Sequence, residues 1–141
     1  MSQSNTRVGD LRVLAGVDLT GKEGRLVVMS HDTGVAEVLL PVANSDYALY
    51  VLMEGAADTK LVSVRPIQPD RNIRVTLKGT CNPGDVFVLA DVATAADAGK
   101  VRVLPTAAGT YRGLAIAEEA GVDGQLVLAR PALIGNITVS V

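Results

Sequence analysis

The feature that most constrains the fold is a repeated order of short apolar runs, bounded by glycine turns and prolines. The clearer copy spans residues 82–131, and a looser copy spans residues 22–66. Both copies close on an Arg-Pro step, Arg65-Pro66 in the first and Arg130-Pro131 in the second. Short apolar runs between turn residues indicate β-strands. The pattern therefore predicts a chain built from two similar β units.

Matched positions keep nearly constant spacings between the two copies. A turn glycine, a tyrosine and the Arg-Pro step carry the comparison, with spacings of 60, 64 and 65 residues for Gly24/Gly84, Tyr47/Tyr111 and Arg65/Arg130. The spacing grows within residues 91–99, a loop-type segment in which insertions are tolerated. We therefore predict repeat units at about residues 17–66 and 77–131, and we expect each Arg-Pro step to end its strand.

The local pattern predicts short strands throughout the chain. Residues 72–78 alternate most clearly, which is typical of a strand with one buried and one solvated face. Residues 82–85, Asn-Pro-Gly-Asp, fit a type II turn. We interpret residues 91–99 as a loop in preference to a short helix capped by Thr94. In total we predict about ten or eleven strands, over residues 11–19, 25–30, 35–40, 47–53, 60–65, 72–78, 86–90, 100–104, 112–117, 125–129 and 137–141.

Short strands with closely spaced turns predict an all-β fold, a small antiparallel barrel or sandwich. The length of 141 residues fits one compact domain. We therefore expect a single β domain over residues 11–141, preceded by an N-terminal arm over residues 1–10. The arm is either a loose tail or a segment that becomes ordered on a partner.

Composition argues against several functional classes. The formal charge is −2, basic residues do not cluster, and the chain has one Phe, three Tyr and no Trp. It therefore lacks both the electrostatic and the stacking signature of nucleic-acid binding. No apolar run approaches the ~20 residues of a membrane span, and no secretory signal is recognisable. A single cysteine, Cys81, cannot form an internal disulfide, which suits cytoplasmic synthesis.

The residues that could carry catalysis are few and scattered. His31 is the only imidazole, and it lies in a His-Asp-Thr-Gly turn. Asp32-Thr33-Gly34 matches the tripeptide of aspartic proteases, but no second copy supplies the partner carboxylate. Cys81 has no nearby ligand or base in the sequence, and we interpret Glu118 and Glu119 as solvated acids at a turn. The sequence therefore predicts a protein that is not an enzyme and needs no cofactor or metal.

Residues 80–131 resemble a known family of structural proteins. The run Gly84-Asp-Val-Phe-Val-Leu, Gly99-Lys-Val-Arg-Val-Leu-Pro, Gly113-Leu-Ala-Ile-Ala, Gly124-Gln-Leu-Val-Leu-Ala-Arg is similar to the small capsid decoration, or cement, proteins of tailed bacteriophages. The resemblance implies a β-rich virion protein on the outer surface of the head. It also implies binding to the major capsid protein and assembly as a homotrimer.

A protein of this kind acts through contact residues. The candidates are six residues of the arm, two tyrosines and the two arginines of the Arg-Pro steps. They are Ser2, Gln3, Asn5, Thr6, Arg7, Val8, Tyr47, Arg65, Tyr111 and Arg130. A solvated strand end is the plainer role for either arginine. The alternative function is a carbohydrate-binding β module of a virion or cell-surface adhesin, for which Tyr47, Tyr50 and Tyr111 would be the available aromatic rings.

Overall fold

The computed structural model describes residues 9–31 and 34–141, and the regular secondary structure of these residues is almost entirely β. The ten strands are β1 (Leu11–Ala15), β2 (Leu26–Ser30), β3 (Glu37–Leu39), β4 (Tyr50–Glu54), β5 (Leu61–Pro66), β6 (Ile73–Thr76), β7 (Val86–Leu89), β8 (Val101–Val103), β9 (Gly109–Ala117) and β10 (Leu126–Val139). One 3₁₀ turn, Ala95–Asp97, is the only helical element in this part of the chain. The predicted all-β fold is confirmed. In the same residues, no helix has the length and apolar character needed to cross a membrane.

The strands form two sheets in which strands at equivalent positions along the chain have the same neighbours. In the first, the order β1-β3-β2-β4-β5 closes into a barrel because β5 also pairs with β1. The second sheet has the order β6-β10-β9-β7-β8. A parallel bridge between Leu77, just after β6, and Val101 of β8 matches the parallel pairing of β1 with β3. Each unit therefore follows one plan, in which its first strand lies between its third and its fifth.

Backbone hydrogen bonds recur at matched positions of the two units. The Gly24 N–H donates to the Leu52 carbonyl at 2.9 Å, and the Gly84 N–H donates to the Ala117 carbonyl at 2.8 Å. Likewise the bond from Leu19 to Ala56 corresponds to that from Cys81 to Gly121. Each sheet also includes a strand that the sequence comparison left outside the repeat, β1 in one and β6 in the other.

The buried side chains form two clusters, one of which joins the units. The smaller cluster fills the first barrel and includes Leu19, Leu52 and Val64. The larger one contains Phe87 and Leu114 of the second unit together with four residues of the first unit and its connector: Leu26, Ala48, Val51 and Ile67. Because they share this core, the two sheets pack as one body.

The structure corrects several predicted strand ends. Pro131 does not end its strand, because β10 continues through it to Val139, joining two strands that we predicted separately. Among the described strands, only β9 pairs with β10 at Pro131, and an edge strand tolerates proline. β1 ends at Ala15, and Leu19 is buried in the loop that follows. Thr94 precedes the 3₁₀ turn but makes no capping hydrogen bond through its side chain.

Candidate interaction surfaces

The predicted contact residues of the arm lie outside the described part of the chain. These are Ser2, Gln3, Asn5, Thr6, Arg7 and Val8. Their role remains a prediction. The described chain starts at Gly9 and enters β1 immediately after Asp10.

Arg65, near the end of β5, forms a two-point ion pair with Asp10. Its Nε lies 2.7 Å from Asp10 Oδ1 and its Nη2 lies 3.2 Å from Oδ2. These hydrogen bonds, helped by the positive charges of Arg65 and Arg71, lower the pKa of the Asp10 carboxyl. Arg65 therefore fixes the start of β1 beside β5, and its charge is already balanced when a partner approaches.

Arg65 also lines a pocket at the seam between the two sheets. This seam pocket has a volume of about 350 Å³ and is lined by Val51, Met53, Arg65, Asn72, Ile73, Arg74 and Leu128. A smaller neighbouring pocket of about 150 Å³ shares Met53 and Arg74 with it. The apolar part of this lining suits an apolar side chain, and Asn72 and the two arginines add polar groups that can hydrogen-bond to a partner.

Arg130 and Arg74 pair with the two adjacent acids near the end of β9. Arg130 Nη2 lies 3.2 Å from Glu118 Oε2, and Arg74 Nη1 lies 2.8 Å from Glu119 Oε1. Glu119 also accepts the Leu128 N–H at 2.9 Å; this bond first, and then Arg74, lowers its pKa. Both carboxylates keep part of their surface in solvent, as expected for acids at a turn, but each also has a specific partner. Both are held in ion pairs, as is Arg65 of the first unit.

The matched tyrosines Tyr47 and Tyr111 have opposite environments. Tyr47 is 64% exposed, and the Arg112 guanidinium lies 3.9 Å from its ring centroid. Tyr111 is buried, and its hydroxyl donates to the Ala107 carbonyl at 3.1 Å. Tyr50 is partly buried in β4. Tyr47 thus keeps most of its surface exposed although Arg112 stacks on its ring, whereas Tyr111 offers little surface to a partner. One exposed ring is a weak basis for a sugar platform, so the carbohydrate alternative gains no support.

A second pocket lies beside Tyr47, and sequence reasoning missed it. Its volume is about 200 Å³, and it is lined by Tyr47, Leu49, Arg112, Gly113, Leu133 and Gly135. Gly113 and Gly135 are paired across β9 and β10, so this part of the wall lacks side chains. The sequence does carry a signal for this site. Residues 132–141 contain no charge and no proline, which is unusual for an exposed edge.

The described residues that were considered for catalysis lie in different surroundings. Cys81 is buried, its Sγ lies 3.5 Å from the Glu119 carbonyl oxygen, and burial raises the pKa of its thiol. His31 is exposed. Asp32 and Thr33 of the Asp-Thr-Gly tripeptide lie outside the described residues. Within residues 9–31 and 34–141, no three His, Cys, Asp or Glu side chains gather as a metal site would require.

Asp97 gives one electrostatic prediction for stability. Its carboxylate is buried and lies 2.9 Å from Lys100 Nζ and 3.5 Å from Lys78 Nζ. The hydrogen bond from Lys100 and the two lysine charges lower its pKa. The unfolded chain therefore binds a proton more readily, so this stabilisation is complete above the unfolded value of about 3.9 and is lost as the pH falls further.

We expect Asp97→Asn to reduce stability at neutral pH by about 1 kcal/mol, a hydrogen-bonded ion pair discounted for solvent screening. The difference from wild type should shrink in acid. Urea unfolding at several pH values measures it. Asp58→Asn, at an exposed turn position, serves as control and should be neutral at every pH. A pH-independent deficit for Asp97→Asn would show that the carboxylate charge is not what stabilises this loop.

Comparisons with known proteins identify the fold. Neither the protein-family models nor the curated proteins contain a match to the chain. Among solved structures, the chain is similar to the "head fiber gp8.5 N base in bacteriophage phi29", with a TM-score of 0.66 and 17% sequence identity. The match covers 89% of this chain and 95% of that one. The two-unit β fold described above is thus also the fold of that phage protein.

Proposed function

We propose that this protein is a non-enzymatic decoration, or cement, protein of a bacteriophage capsid. In this role it binds the outer surface of the head and stabilises the lattice of the major capsid protein. The observation that carries the proposal is the fold shared with a phage head fiber base over nearly the full length of both chains. The resemblance of residues 80–131 to decoration proteins supports it from the sequence, without use of the fold.

The chemistry of the surface fits a role in binding. The carboxylates of Glu118 and Glu119 are engaged by arginines, and the raised pKa of Cys81 disfavours the reactive thiolate. In contrast, the seam pocket and the pocket beside Tyr47 offer apolar concave surface. Surfaces of this kind bind by burying side chains of a partner. We propose the major capsid protein as that partner and a homotrimer as the assembled form.

The arm and the seam pocket are the proposed contacts with the capsid. Asp10 is paired with Arg65 of the seam pocket, so the described chain begins on the same side of the molecule as this pocket. A segment that orders on binding can cover a large surface. We therefore propose that the arm and the pocket together contact the major capsid protein.

Binding to heads tests this function directly. Purified protein is mixed with heads of the cognate phage that lack decoration, and the bound fraction is measured by sedimentation and imaged by electron microscopy. We expect saturable, regularly spaced binding on the outer surface and a higher temperature of head disruption. A ligand at 100 times its Kd stabilises each site by about 2.7 kcal/mol.

Two variants locate the contact. Deletion of residues 2–8 and Met53→Lys, which places a charge in the seam pocket, should each weaken binding to heads. Leu61→Lys is a matched control, because Leu61 is also an exposed apolar residue but lines neither pocket. Failure of folded wild-type protein to bind cognate heads would contradict the function. Equal binding by all variants would contradict only the proposed contact.

A further inference from the structure

One structural element distinguishes the second unit from the first. β5 ends at Pro66, whereas its counterpart β10 continues to Val139, and β9 is nine residues long where β4 has five. The additional segments pair with each other, from Gly135 opposite Gly113 to Val139 opposite Gly109. We call this pair, residues 109–113 and 135–139, the ribbon.

Both outer edges of the ribbon are open in the described part of the chain. β7 pairs with β9 only at Ala115 and Ile116, and β6 pairs with β10 only as far as Ala129. No backbone hydrogen bond from another described segment reaches either ribbon strand. Each edge therefore exposes unpaired N–H and C=O groups. A two-stranded ribbon is marginally stable by itself, and a third strand stabilises it.

The ribbon lacks the features that normally protect an edge strand. Natural proteins block edges with charges, especially lysine, with proline or by covering them. Residues 132–141 contain none of these residues. In the opposite strand the only charge, Arg112, is engaged by the Tyr47 ring and by the Ser45 carbonyl, 2.9 Å from its Nε. Next to the ribbon, Leu133 is 60% exposed and Ile134 is 46% exposed.

We propose that the ribbon is the self-association surface, in which the outer edge of β10 in one copy pairs with the outer edge of β9 in the next. The two edges have equal length and belong to strands of opposite direction. A rotation about an axis parallel to the strands keeps the direction of every strand. It therefore places β10 of one copy antiparallel to β9 of the next copy. A foreign strand would complete one edge only, whereas a second copy completes one edge and presents an identical open edge to a third.

The contact joins two different surfaces, so it is heterologous. Repetition of such a contact gives a ring when the rotation between copies closes and an open filament when it does not, and the proposed assembly is the closed ring. Closure leaves no strand edge exposed. The exposed Leu133 and Ile134 lie directly before the β10 segment of the ribbon, so they extend the interface with apolar surface. The inference rests on the proposed function only for the number of copies in the ring. The pairing of the edges follows from the ribbon itself.

The mass of the isolated protein in solution tests the inference without heads. We expect sedimentation equilibrium to show a concentration-dependent oligomer for the wild type. Thr138→Lys on β10 and Thr110→Lys on β9 each add a charge at an exposed ribbon position. Each should raise the dissociation constant by roughly tenfold or more, where tenfold is about 1.4 kcal/mol. Val122→Lys, at an exposed apolar residue in the turn before β10, should leave it unchanged.

Hydrogen exchange of the wild type provides a test without substitutions. Amides of residues 109–113 and 135–139 should be protected at high protein concentration and should exchange faster after dilution, whereas amides of β2 should not change. A monomer at all concentrations overturns the inference. An oligomer also overturns it if the exchange of the ribbon amides does not depend on concentration, like that of β2. The same holds if Thr138→Lys and Thr110→Lys leave the dissociation constant unchanged, as Val122→Lys should. Loss of head binding with the oligomer intact would instead contradict the proposed function.

Discussion

Replacement of Phe87 by alanine should lower the free energy of unfolding by about 3–5 kcal/mol, the usual cost of removing a buried phenylalanine. Phe87 is the only phenylalanine in the chain and is fully buried in the larger core cluster. Leu26 and Val51 of the first unit belong to the same cluster. The substitution should therefore weaken both units, even though it lies in the second.

The number of unfolding transitions distinguishes a shared core from two independently folding units. Urea unfolding followed by circular dichroism should give one transition for the wild type and for Phe87→Ala, because the shared core makes a folded unit depend on its neighbour. Amides of β2 and β4 should lose protection as much as amides of β7 and β9 do. Leu52→Ala, in the cluster confined to the first barrel, is the matched variant for the other unit. Two separate transitions, or unchanged protection in β2 and β4, would contradict the shared core.

The sequence predicted the elements whose residue patterns are local. The alternation over residues 72–78 placed Ile73, Val75 and Leu77 in the core, as the structure shows. Gly84 has the positive φ, +92°, that the Asn-Pro-Gly-Asp turn requires. Both follow from rules that act within a few residues, and neighbouring strands do not alter them.

The sequence did not predict features that depend on neighbouring strands. Whether proline ends a strand depends on the neighbours that flank it, and at Pro131 only β9 does. Tyr47 and Tyr111 occupy matched positions, but only Tyr111 is buried. We predicted β10 as two separate strands because residues 130–136 contain Pro131 and Gly135, which interrupt the apolar alternation. Among the candidate contacts, the sequence identified Arg65 and Tyr47 beside the two pockets, but it missed Arg112 and Leu133, which complete one of them.

The insertion in the second unit has a structural role that its loop-like composition did not indicate. Residues 91–99 pack against the first unit, where the Leu26 N–H donates to the Gly99 carbonyl at 2.8 Å. The Arg25 guanidinium donates to the Ala98 carbonyl at 3.0 Å, and the Val92 N–H donates to the Asn44 side chain at 3.2 Å. The loop thus links the two sheets through hydrogen bonds, in addition to the shared core.

Gly99 is the position at which this link is most sensitive to substitution. Its φ is +85°, and a Cβ added there would lie 2.7 Å from the Leu26 carbonyl oxygen. Gly124 has nearly the same φ, +81°, but a Cβ there would meet nothing within 4 Å. Alanine at Gly124 therefore incurs only the left-handed backbone cost of about 1–2 kcal/mol. Alanine at Gly99 adds the steric cost of overpacking, about 1–3 kcal/mol.

We expect Gly99→Ala to destabilise the protein by about 2–5 kcal/mol in total, against about 1–2 kcal/mol for Gly124→Ala. Because the clash involves backbone of the first unit, Gly99→Ala should also speed hydrogen exchange at Leu26, whereas Gly124→Ala should not. Urea unfolding and amide exchange of the two variants measure both effects. Equal destabilisation by the two substitutions would mean that the backbone conformation alone sets the cost, and that the loop does not hold the two units in close contact at this point.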